Sequence, residues 1–237
     1  MSELSRLTAE IKSCENKPQA AISQRFFKTG PGQYGAGDRF LGLKMPLQRL
    51  LARKYADLSL SDIERLLESQ IHEFRMIGLL ILVDRYERTA SRAEKKKIVD
   101  FYLSHTARIN NWDLVDLSVY KILGDFLVAE KQALKILEKL AGSKNLWEKR
   151  MAMISTYAFL KKGEAEKTLH IAEKLLQDEH DLMHKAVGWM LREAGKRVDK
   201  KVLTDFLDQH YRRMPRTALR YSIEKLSPRE REHYLAK

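Results

Sequence analysis

Asp116 is a carboxylate in a place where a carboxylate needs a reason. It lies in Ile109–Leu127, INNWDLVDLSVYKILGDFL, a stretch that reads as a helix. Asn110 or Asn111 can cap its N-terminus, and Asp113 sits in the first turn, where the helix dipole favours an acid. Leu114, Val115, Leu117, Val119, Ile122, Leu123, Phe126 and Leu127 carry apolar surface around nearly the whole circumference, which marks an interior helix. Trp112 precedes Asp116 by one turn and shares its face. Burying an unpartnered charge is costly. Asp116 therefore either meets a structural partner, an Arg or a helix end, or performs chemistry.

The elements that must position it are helices. Ser2–Ser13 and Pro18–Lys28 read as short helices, followed by the only glycine-rich loop, Thr29–Pro46. That loop lacks GK[ST] and any GxGxxG after a strand, so it reads as a chain reversal between helices rather than a phosphate cradle. Leu47–Tyr55 and Leu58–Ser69 follow, and from there helices come in pairs: His72–Thr89 with Ala93–Leu103, Trp112–Ala129 with Lys131–Leu140, Leu146–Lys161 with Glu164–Gln177, and Asp181–Ala194 with Lys200–Met214. Pro215–Leu226 and Arg229–Leu235 close the chain. No stretch alternates with period two long enough for a sheet. The expected fold is all-α, an α-solenoid of HEAT-like antiparallel helix pairs. It forms one repeat domain over 1–237, with N-terminal helices and the glycine-rich loop in 1–56 and helix-pair repeats in 57–237.

Aligning FRMIGLLIL, VDLSVYKIL, KRMAMISTY, HKAVGWMLR and PRTALRYSI makes Arg75, Asp116, Arg150, Lys185 and Arg216 equivalent, at spacings of 41, 34, 35 and 31 residues. Equivalent positions in a solenoid line one face. The expectation is a concave basic groove with one carboxylate near its middle. Charge agrees: 44 Lys+Arg against 32 Asp+Glu give +12, which points to a polyanionic partner, nucleic acid before an acidic membrane surface. Arg150, Lys185, Arg192, Arg212, Arg213, Arg216 and Arg220 are the candidate phosphate contacts. Trp112 and Trp189, each one turn from a register position, are either core or an apolar wall against sugar and base faces. Trp147 reads as packing.

A carboxylate among cations stays ionised and makes a poor general acid. It suits stabilisation of a developing positive charge and orientation of a water. Cleaving an N-glycosidic bond creates an oxocarbenium-like sugar, the charge problem glycosidases solve with carboxylates. His180 and His184 at i, i+4 lack the HExxH glutamate and a third ligand, so no metal site is expected. Cys14 and the serines show no nucleophile–base pattern. The single cysteine excludes an internal disulfide. With no long apolar run and no signal-peptide core, a cytoplasmic monomer without membrane contact is expected.

The chain resembles the AlkD-type DNA alkylation repair glycosylases. GDRFLGLKMP (Gly37–Pro46), NWDLVD (Asn111–Asp116), NLWEKRMAMIS (Asn145–Ser155), KAVGWMLREAGK (Lys185–Lys196) and MPRTALRYSIEKL (Met214–Leu226) carry the likeness, in the family's order. WDxVD and GWxLRE are the specific elements. The resemblance implies excision of cationic N3- and N7-alkylated purines from double-stranded DNA by hydrolysis, without flipping the base and without metal or organic cofactor. It implies Asp116 as catalytic carboxylate, Trp112 and Trp189 beside the lesion sugar, and Arg150 as the groove arginine. Asn111, where some members carry a second tryptophan, and the longer loop Thr29–Asp38 depart from the pattern. The alternatives are a non-catalytic HEAT-like scaffold for DNA or RNA structures and a protein-binding adaptor.

Overall fold

A computed structural model describes residues 2–236. The fold is all-α and solenoid-like, as expected. Among the described residues the single extended pairing is an isolated bridge between Arg39 and Ile71. The helices gather into two compact units, Met1–Leu114 and Val115–Lys237.

The first unit contains α1 (Glu3–Ser13), α2 (Lys17–Phe26), α3 (Met45–Lys54), α4 (Leu60–Leu67), α5 (His72–Arg88) and α6 (Arg92–Ser104), then a 3-10 turn at Thr106–Arg108. Helix α5 is its spine. Twelve of its residues in a row, His72–Val83, are buried, and α3 and α4 both pack on it. Side-chain caps set the starts: Ser2, Asn16, Ser59 and Ser91 each accept a backbone N–H of the first turn. The glycine-rich segment is a reversal, as its composition implies, with Gly32 and Gly37 at φ +75° and +90°. At φ +85°, Gly42 also lies so close to α2 that a Cβ would meet the Asn16 carbonyl oxygen at 2.3 Å.

Helix α7 (Trp112–Val119) runs from the end of one unit into the other. The second unit continues with a π turn at Tyr120–Gly124, then α8 (Asp125–Val128), α9 (Ala133–Ala141), α10 (Leu146–Ser155), α11 (Tyr157–Leu160), α12 (Glu166–Leu175), α13 (Asp181–Arg197), α14 (Lys200–His210), α15 (Arg216–Ser222) and α16 (Pro228–Leu235). Two stretches expected as single helices are interrupted. Trp112–Ala129 carries the π turn, where Gly124 lets the widened helix approach α10: a Cβ there would lie 2.5 Å from the Ser155 carbonyl oxygen. Leu146–Lys161 breaks at Thr156, whose hydroxyl donates to the Met153 carbonyl. Helix α14 stops at His210, four residues short of the expected end, because Pro215 disfavours helical backbone just before it. The most extensive helix–helix packing is α13 on α15, and at Gly188 a Cβ would meet the Ala218 carbonyl oxygen at 2.4 Å. That contact explains the glycine of the GWxLRE element. Among the described residues no helix is long and apolar enough to cross a membrane.

Candidate active site

The second unit supplies a carboxylate, its partner and an aromatic row. Asp116 on α7 accepts two parallel hydrogen bonds from Arg150 on α10: Nε to Oδ1 at 2.8 Å and Nη2 to Oδ2 at 2.7 Å. A guanidinium fork matched to a carboxylate holds it ionised and fixes its plane. Arg150 is 4% exposed, and its Nη1 donates to the Leu182 carbonyl. All three guanidinium nitrogens are thus committed inside the protein. The expected row of open cations therefore does not form at this position. Arg75 is likewise buried in the first unit, donating to Asp38 Oδ1 at 2.7 Å and to the Ser69 carbonyl.

One turn along from Asp116, Tyr120 meets Tyr157 edge to face at 5.2 Å, and Tyr157 lies 6.4 Å from Trp189 on α13. Trp189 is half-buried, which fits a wall rather than core. Arg197 stacks over the Tyr157 ring and donates to its hydroxyl, while Glu193 holds Arg197 at 2.8 Å. Burial raises the Tyr157 phenol above its ordinary pKa, against the opposing charge of Arg197. Sequence reasoning named neither tyrosine. Tyr120 carried a signal, standing one turn after Asp116 as Trp189 stands one turn after Lys185; Tyr157 carried none.

The remaining expected cations differ in availability. Lys185 pairs with Asp181 one turn earlier, at 2.7 Å. Arg192 is mostly buried and pairs with Glu224. Arg213 pairs with Glu173 at 3.2 Å. Arg212, Arg216 and Arg220 are exposed, and Arg216 donates to the Leu235 carbonyl. Trp147 is core, 7% exposed, as its place at a helix start implied.

Trp112 belongs to the first unit, where it stacks on Phe27 at 5.4 Å and meets Phe26 edge-on at 6.0 Å. Phe27 stacks in turn on Phe40, and Phe40 on His72 at 4.7 Å. Behind these rings lies a buried charge network that the sequence did not disclose. His72 Nδ1 bonds Asp38 Oδ2 at 3.2 Å and His72 Nε2 bonds Asp113 Oδ2 at 2.8 Å. Asn111, fully buried, donates from Nδ2 to Asp38 and accepts the Trp112 N–H on Oδ1. It sits at the start of α7 and ties that helix to the loop. Burial alone would push the His72 imidazole down. The charge and hydrogen bond of Asp113, with the hydrogen bond to Asp38, outweigh it and raise its pKa to about 9. Burial also opposes ionisation of Asp38, but His72 and Arg75 hold its pKa below the usual carboxylate value.

His72 therefore links stability to pH. An imidazole with an unfolded pKa near ~6.5 and a folded one near 9 gives its full stabilisation below about pH 6.5 and loses it as pH rises towards 9. The expected loss is about 3 kcal/mol over that window. Asp38, already ionised throughout it, adds no slope there. Urea unfolding of wild type and His72→Gln at pH 6 and pH 9.5 measures the difference; parallel changes in the two proteins would refute an ionised His72.

A family model described as DNA alkylation repair enzyme matches residues 7–226. Among solved structures the chain is similar to one described as a predicted DNA alkylation repair enzyme from Enterococcus faecalis. The TM-score is 0.71 at 18% sequence identity, over 90% of this chain and 97% of that one. No curated protein matches.

Proposed function

The chain belongs to the DNA alkylation repair enzyme family, and from that premise we propose that it is a monofunctional glycosylase, excising cationic N3- or N7-alkylated purines from double-stranded DNA by hydrolysis. The observation that carries this reading is the Asp116 carboxylate, gripped by the Arg150 fork one helical turn from an aromatic row. An alkylated purine leaves readily because it already bears a positive charge. As its N-glycosidic bond stretches, positive charge moves onto the sugar. Asp116, ionised and oriented before the substrate arrives, lowers the energy of that charge without reorganising. It then orients a water towards C1′, giving free base and an abasic site. Arg150 acts here through Asp116 as a positioning residue. Trp189, Tyr157 and Tyr120 offer faces to the sugar and exclude bulk water, and Trp112 opens the helix that carries Asp116. The exposed Arg216 and Arg220, with Lys185 and Arg192 once released from their carboxylate partners, neutralise phosphates. The base leaves without entering a pocket, unlike the substrates of base-flipping glycosylases. No resident metal or organic cofactor takes part, and a soluble cytoplasmic monomer is the form proposed.

One observation favours a second reading, a DNA-binding scaffold without catalysis: a buried arginine paired with an aspartate is also what a purely structural ion pair looks like. Release of base separates the two. Incubation with methylated duplex DNA, followed by chromatography of the supernatant, is expected to yield 7-methylguanine or 3-methyladenine at a rate proportional to enzyme. Salt-sensitive duplex binding without any released base would establish the scaffold.

A further inference from the structure

Most of the chain's net positive charge lies on one stretch of the first unit. Residues 16–56, from the cap of α2 through the glycine-rich segment and α3, hold eight Lys and Arg against one acid, +7 of the chain's +12. The acid, Asp38, is buried between Arg75 and His72. All eight cations are exposed. Lys54 pairs with Glu10 at 2.7 Å, and among the described residues no carboxylate pairs with any of the other seven. The second unit differs: there Lys185, Arg192 and Arg213 each face a carboxylate. Unpaired like charges on one surface repel, and a polyanion relieves that repulsion. The same stretch holds three of the four large hydrophobic side chains exposed among the described residues, Ile22, Phe26 and Leu50, at 52%, 62% and 62%. Ile22 and Phe26, one turn apart on α2, rim a cavity of about 270 Å³ together with Lys44. Arg25 and Lys28 flank Phe26 in the chain. The acids of that lining are already committed, Glu73 to the amides of Leu41, Gly42 and Leu43, Asp113 to His72 and the Leu114 N–H.

Free cations beside uncovered apolar side chains narrow the partner. A duplex turns its phosphates outward and keeps its base faces stacked inside. A bilayer would cover the cations, but Ile22 and Phe26 rim a concavity, which the flat surface of a bilayer does not enter. An unpaired strand presents phosphates and base faces side by side, and sequence-tolerant strand-binding proteins meet it with cations and exposed aromatic rings. The Phe26 ring meets Phe27 and Trp112 edge-on, so neither ring lies parallel to it. Membership of a DNA repair family favours nucleic acid over an acidic protein segment. We infer that the α2–α3 surface of the first unit binds single-stranded nucleic acid, with Arg25, Lys28 and Lys44 on phosphates and Phe26 against a base. That assignment is independent of Asp116 and of the glycosylase reading.

The full-length protein is titrated into a fluorescein-labelled oligothymidylate of about 20 nucleotides, longer than one strand-binding site. A duplex of the same length is titrated separately, and anisotropy is read at several salt concentrations. For the wild type, log K for the strand should fall by about 0.7 per phosphate engaged for each unit of log salt. Arg25→Gln/Lys28→Gln/Lys44→Gln is expected to weaken binding and to flatten that slope by about 2. Lys161→Gln/Lys162→Gln/Lys174→Gln, at three exposed lysines of the second unit, removes the same charge and should leave the slope unchanged. Phe26→Ala is expected to weaken strand binding about tenfold at unchanged slope, the scale of one lost base–aromatic contact, and to leave duplex binding as it was. Every substituted side chain is exposed, so folding should hold, which the melting temperature checks. A wild-type slope in the first triple variant, an equal loss in the second, or a Phe26→Ala loss shared equally by strand and duplex overturns the assignment. So does binding to phosphatidylglycerol vesicles or to polyglutamate with none to the strand. Base release from methylated duplex is scored separately. Strand binding by this surface without release sinks only the glycosylase reading, and release without strand binding sinks only this one.

Discussion

Asp116→Asn is expected to release 7-methylguanine about 10²–10³-fold more slowly than wild type in single turnover, the usual cost of one preorganised electrostatic partner. Asparagine keeps the shape and one oxygen but carries no charge to set against the sugar cation. The structure adds a second consequence. Arg150 would face an amide across one arm of its fork and keep only the other arm and the Leu182 carbonyl. Breaking a buried pair typically costs about 3–5 kcal/mol. Asp116 is 16% exposed at its side chain and the amide retains one hydrogen bond, so the low end applies. For a chain of this length about 3 kcal/mol lowers the melting temperature by roughly 6–12 °C. The rate must be read well below the variant's midpoint. Binding to undamaged duplex should hold or tighten slightly, because a negative charge has been removed from a surface proposed to face phosphates. A folded, DNA-binding Asp116→Asn protein that released base at the wild-type rate would eliminate Asp116 as the catalytic carboxylate.

Helix periodicity made the fold readable, because each amphipathic stretch announces its own element. The site was readable only where a residue broke its local pattern. Asp116, a charge inside a greasy helix, was such a break, and so was its place in the repeat register with Arg150. The register did not tell that two of its cations, Arg75 and Arg150, would turn inward onto Asp38 and Asp116 rather than outward. Equivalence in a repeat fixes the position of a Cα, whereas the destination of a long side chain depends on the partner it finds. The same kind of break stands at the start of α5, where His72, Glu73 and Arg75 crowd four positions before a run of apolar residues; only Arg75 was legible, through the repeat register, because the carboxylate, imidazole and amide partners of the three lie 30 or more residues away. Phe26, Phe27 and Phe40 had no local signature at all. An aromatic ring in a short helix or loop reads as core until packing shows which faces stay uncovered.

Glu73→Ala is expected to be the most destabilising single change outside the apolar core. Glu73 is 2% exposed, at the start of α5, and its carboxylate gathers the backbone amides that close the glycine-rich segment. Oε1 accepts from Leu41, Gly42 and Leu43 at 3.0, 2.7 and 3.3 Å, and Oε2 accepts from Leu41 at 3.0 Å. Three successive N–H groups converging on one charge form an anion-binding concavity that the protein fills with its own side chain. The backbone here has no other acceptor in reach by sheet or helix, since the segment runs between the Arg39 bridge and α3. Truncation leaves three donors without a partner, two of them on buried residues, at about 1–3 kcal/mol each. The expected loss is roughly 4–6 kcal/mol against a total of about 5–15 for a domain. That is a fall in melting temperature of roughly 10–20 °C, with faster hydrogen exchange at 41–43 and across α5. Glu73→Gln tests whether the acceptors matter or only the volume. It fills the same space but turns an amide NH2 towards the Leu41 N–H, so it should recover no more than about half of the loss. A Glu73→Ala protein melting within about 2 °C of wild type would mean that water satisfies the three amides as well as the carboxylate does.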